Sequence, residues 1–82
     1  MKHITIEQSR IIARELVQFI NKHVPAWDMD EKPTIKDAMN DIRNDPDGVL
    51  RWMREYVTFN LGNEELNKDA FKIFKMMREA RA

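Results

Sequence analysis

The chain has no cysteine. That absence removes disulfides, thiolate metal ligands and a cysteine nucleophile together, and it fits a reducing compartment such as the cytosol. Two glycines and three prolines in 82 residues leave too little turn-forming material for a small β-domain, so helices are expected. Gly48 and Gly62 stand alone, which excludes a glycine-rich phosphate loop. No apolar run approaches the roughly 18–20 residues that span a bilayer. Met1-Lys2-His3-Ile4-Thr5 leads into an amphipathic pattern rather than a signal-peptide core. These absences predict a cytoplasmic protein with no membrane partner.

Nor does one sign of charge dominate. Fourteen basic residues balance fourteen acidic ones, but residues 24–48 hold seven acidic and three basic groups. Residues 1–23 and 49–82 are each mildly basic, so an acidic belt lies between two basic ends. Nucleic-acid binders normally carry a larger basic excess, because phosphate neutralisation dominates their affinity. An acidic belt suits water or a basic protein partner better.

What is present is enough for one helical domain over residues 1–82, with 43% hydrophobic residues for a core. A compact all-α bundle of four short helices is predicted, over about 6–23, 35–44, 46–61 and 64–80. In the first, Thr5 and Gln8 have capping-box spacing, and Ile12, Leu16, Phe19 and His23 follow one line beside Ala13, Val17, Ile20 and Val24. Pro25 stops it. Residues 24–32 form a linker whose Trp27 either plugs one end of the bundle or stands out as a binding anchor.

Thr34 and Asp37 cap the second helix, with Ile35, Ala38, Met39 and Ile42 as its apolar stripe. In Arg43-Asn44-Asp45-Pro46-Asp47-Gly48, Asp45 can cap a third helix, Pro46 fits its first position and Asp47 suits its dipole. Val49, Leu50, Met53, Val57 and Leu61 are its predicted core stripe, with Trp52, Tyr56 and Phe59 beside it and Gly62 as the C′ glycine. Asn63 caps the fourth helix, whose Leu66, Ala70, Phe71, Ile73, Phe74 and Met77 are expected inside. Lys68, Lys72, Lys75 and Arg78 make a basic outer stripe, and the six methionines read as core filler.

Chemistry is scarce. Ser9 is the sole serine and sits within a helix, His3 is near a terminus, and His23 reads as a dipole-satisfying residue at a helix end. Asp28-Met29-Asp30 opens like a calcium loop, but Lys32 and Pro33 occupy positions that need an oxygen ligand and a turn glycine. Asp37 and Asp41 share an exposed helix face. No catalytic set, metal or cofactor is expected. A helix-turn-helix reading meets Asp45 and Asp47 where a recognition helix would approach phosphate.

Binding of another protein remains, through Trp52, Tyr56, Phe59, Arg51 and Arg54, with Trp27 as a further candidate, since Trp, Tyr and Arg are enriched at hot spots. The opposing reading buries these aromatics under the fourth helix and Trp27; self-association as a homodimer through the same surface is a third possibility.

Pro33, Ile35, Asp37 and Ala38, then Arg43, Pro46 and Asp47, then Trp52, Arg54 and Glu55 carry a resemblance. Residues 33–55 resemble the core of the theta subunit of bacterial DNA polymerase III, a small helical protein. The resemblance implies a non-catalytic accessory subunit docked on a proofreading exonuclease. The chain departs from that family in a longer second helix, a longer linker before it, and a fourth helix where the family has an extended tail. The expectation is a small non-enzymatic protein-binding or regulatory module.

Overall fold

Every helix begins at a side chain that accepts a backbone N–H the helix cannot satisfy itself. A computed structural model describes residues 3–25, 29 and 31–82. Trp27, Asp28 and Asp30 lie outside the described residues. Helices α1 (Ile6–His23) and α2 (Ile35–Asn44) start with reciprocal capping boxes, Thr5 with Gln8 and Thr34 with Asp37. Helix α3 (Pro46–Thr58) starts at Asp45, whose Oδ1 accepts the Gly48 N–H at 3.1 Å, and α4 (Glu64–Arg81) starts at Asn63, which accepts from Leu66. The chain is all-α, as its glycine poverty implies.

The third helix ends at Thr58, three residues short of the predicted Leu61. Asn60 explains the stop. Its side-chain amide donates to the Tyr56 carbonyl at 2.7 Å, the acceptor a further helical turn would need, while its backbone N–H turns to Val57. Gly62 does not act as a left-handed cap, because no described residue has positive φ. A Cβ on Gly62 would meet nothing, whereas one on Gly48 would overlap the Asp45 carboxylate. Gly62→Ala is therefore expected to raise stability by about 0.4–1 kcal/mol through the unfolded chain. Gly48→Ala displaces the cap and is expected to cost about 1 kcal/mol. Thermal unfolding of the two variants checks the pair, and equal signs would contradict it.

The helices close a ring: α1 packs on α2 and α4, and α3 packs on α2 and α4, while across the diagonal α3 reaches α1 through the Tyr56 side chain. The core inside it draws Ile12, Leu16, Phe19 and Ile20 from α1, Ala38 and Ile42 from α2, Met53 and Val57 from α3, and Leu66, Ala70, Ile73 and Met77 from α4. Met29, Met39 and Met76 pack against it from the edge.

Three predicted core residues face out. Phe71 is 60% exposed, because the α4 seam runs through Leu66, Ala70, Ile73, Met77 and Ala80, and Phe71 stands one position off it. Leu61 is 69% exposed because the helix that would have carried it inward has ended. Ile35 is exposed as the first residue of α2, ahead of the Ala38–Ile42 contact. Among the described residues, no helix is long and apolar enough to cross a membrane.

Candidate protein-binding surface

Helix α3 presents its large side chains in three directions. Tyr56 points to the fold: its hydroxyl donates to the His23 carbonyl at 3.1 Å, and its ring meets Phe19 edge-on at 6.2 Å. The end of α1 thus supplies cover for it. Trp52 is half-buried and stacks on Tyr56 with centroids 5.4 Å apart. It also lines a concavity of about 580 Å³ between α2 and α3, with Leu16, Ala38 and Val49 below and Asp37, Asp41 and Arg51 around it. Arg51, Arg54 and Phe59 line a shallower depression on the outer face, together with Glu55 and Thr58.

The predicted set thus divides. Arg51, Arg54 and Phe59 share one open surface, Trp52 shares a concavity with Arg51, and Tyr56 is a structural tie. Trp27 lies outside the described residues. Phe59 is 85% exposed, and Leu61, in the turn that follows, is 69% exposed. The side chains of Arg51 and Arg54 have no hydrogen-bond or ion-pair partner among the described residues.

A second cluster joins α1 to α4. The His23 side chain is only 5% exposed, and its Nε2–H donates to the Asp69 carboxylate at 2.8 Å. Lys22 reaches both Asp69 and Glu65. Hydrogen bonding from His23, then the Lys22 charge, hold the Asp69 carboxyl below its ordinary value; Glu65 and Asp69 hold the Lys22 ammonium above its own. The helix-end histidine therefore does more than meet the dipole: it ties three helices, through Asp69, Phe19 and the carbonyl that Tyr56 binds.

A lowered carboxyl value adds stability above its unfolded pKa, and that stability disappears as pH falls through the folded value. Asp69→Asn keeps an acceptor for His23 but removes the charge. Denaturant titrations should find it less stable than the parent at pH 7, with the gap closing as pH drops below 3.8. A gap independent of pH would contradict the assignment.

The sole serine lies apart from this pair. Ser9 Oγ donates to the Ile6 carbonyl at 2.7 Å and is fully buried; it lies fourteen residues before His23 on the same helix, about 20 Å along its axis. Among the described residues, no three His, Asp or Glu side chains converge to hold a metal ion.

No family model, curated protein or solved structure matches this chain. Its functional reading comes from its own surface.

Phe71 was missed as a surface residue because an apolar residue in a helix reads as core unless the seam is known. Adjacent Ala70 is the usable signal: neighbours in a helix lie 100° apart, so both cannot sit on one narrow seam.

Proposed function

We propose that the protein is a small non-enzymatic protein-binding or regulatory module. It engages its partner through the outer face of α3 and the turn that follows, with Phe59 as apolar anchor and Arg51 and Arg54 as charged contacts. The exposure of Phe59 carries this reading. An aromatic side chain left in water gains roughly 1.5–3 kcal/mol when a partner covers it, and it shares its surface with two arginines whose side chains have no partner among the described residues. DNA reading is disfavoured by the α2–α3 joint, a single residue, Asp45, where a helix-turn-helix has a turn of three or four. Asp45 and Asp47 also place negative charge at the helix start. An accessory-subunit role, as the theta resemblance implies, belongs within this reading, since Arg54 and Glu55 lie on the same face.

Affinity capture from an extract of the producing cell tests it. The parent chain should retain a protein that an Arg51→Glu/Phe59→Asp double variant releases, with the helical circular dichroism of the two alike. Retention of the same protein by the folded variant would remove this face from the proposal. Loss of a concentration-dependent dimer, instead of a second protein, would make the partner another copy of the chain.

A further inference from the structure

A different surface, on the other flank of α3, has a more specific chemistry. Helices α3 and α4 run antiparallel, joined by the turn at one end and by the Arg81–Asp47 ion pair (2.9 Å) at the other. Between them lies an open groove of about 730 Å³. Leu50, Phe71 and Phe74 supply its apolar lining, and Arg54, Lys75 and Arg78 its charge. Phe71 and Phe74 meet edge-on at 5.8 Å, so the exposed Phe71 ring is held against its neighbour. The side chains of Arg54, Lys75 and Arg78 have no hydrogen-bond or ion-pair partner among the described residues, whereas Lys72 on the same helix is occupied by Glu15 and Arg81 by Asp47.

We propose that this groove docks an acidic amphipathic helix of a partner protein, apolar side chains against Phe71 and Phe74 and carboxylates toward Arg54, Lys75 and Arg78. Three observations select that occupant. A groove between two antiparallel helices accepts a third helix by the packing of ridges into grooves. The apolar floor requires apolar anchors at i, i+3 and i+4 spacing, which a nucleic-acid backbone does not offer. The unpaired cations require negative charge on the occupant, and such charge raises the association rate and makes it salt-sensitive. The inference rests on the protein-binding reading but names an adjoining face that shares only Arg54 with the Phe59 surface; the variants below leave Arg54 in place, so the two can fail separately.

The test uses the full chain and three probes. They are an acidic amphipathic peptide of about 15 residues, four helical turns, with Leu and Glu on opposite faces, its counterpart with Lys for Glu, and a single-stranded oligothymidylate. Amide resonances report where each binds. The acidic peptide should shift resonances of Leu50, Phe71, Phe74, Lys75 and Arg78, and its affinity should fall with salt. Phe71→Ala and Lys75→Glu/Arg78→Glu should each weaken it by about tenfold or more. Both variants alter exposed positions, and an unchanged circular dichroism spectrum confirms their folds. The Arg51→Glu/Phe59→Asp variant should bind the peptide as the parent does. Equal binding of the basic peptide, binding of the oligothymidylate alone, self-association in place of peptide binding, or no binding at all would each overturn the proposal. Shifts confined to Arg51 and Phe59 would overturn this groove while leaving the protein-binding reading in place.

Discussion

Phe19→Ala is expected to lower stability by about 3–5 kcal/mol, the range for emptying an aromatic core site. The whole fold of a chain this length holds only about 4–12 kcal/mol, so the variant should lose from about a quarter to all of its stability. The site explains the size. Phe19 is 2% exposed, and it supports two other rings, His23 at 5.0 Å and Tyr56 at 6.2 Å. Those rings carry the α1 ties to α4 and α3: the His23–Asp69 hydrogen bond and the Tyr56–His23 hydrogen bond. Removing Phe19 opens a cavity and loosens both ties, so the losses couple rather than merely add. Urea unfolding followed by circular dichroism measures it. A loss under about 1 kcal/mol would mean that the site collapses freely and that the three-helix tie is not built on this ring.

Trp52→Ala has the second large effect. Trp52 is half-buried, packs against the core and stacks on Tyr56, so its truncation is expected to cost about 2–3 kcal/mol. The folded fraction should still capture the partner retained by the parent chain, because Phe59 and Arg51 remain on the outer face. Capture that disappears while urea stability is unchanged would make Trp52 the anchor and Phe59 a bystander. The contrast separates two aromatic residues seven positions apart on one segment: one inside the fold's edge, one in water.

The fold was legible in the sequence wherever a local signal was enough. Thr5, Thr34, Asp45 and Asn63 each mark a helix start by the chemistry of a side-chain oxygen facing free N–H groups, and each does so in the structure. The inner lines of α1 and, apart from Ile35, of α2 follow from period alone. Helix ends were harder. Gly62 is a strong stop signal by identity, but Asn60 stops α3 first by taking the Tyr56 carbonyl, a competition between two donors that pattern does not rank.

The site was half legible. Residue types at Trp52, Tyr56, Phe59, Arg51 and Arg54 pointed to one helix, but their directions depend on which neighbours that helix meets. Tyr56 turns inward because the end of α1 offers it the His23 carbonyl, 33 residues away in sequence, and the Phe19 ring, 37 away, both well beyond any local window. Phe71 turns outward because Ala70 and Ile73 already fill the narrow seam of α4. Both outcomes are tertiary decisions, invisible to a period of 3.6.

The central claim is that the outer face of α3 at Phe59 meets another protein. A photoreactive benzophenone side chain placed at position 59, with Ile11 on the exposed side of α1 as the matched site, tests it most directly. Irradiation in the native extract should yield a covalent adduct with a second protein from position 59 and none from position 11. No adduct from either site, or the same adduct from both, would contradict it.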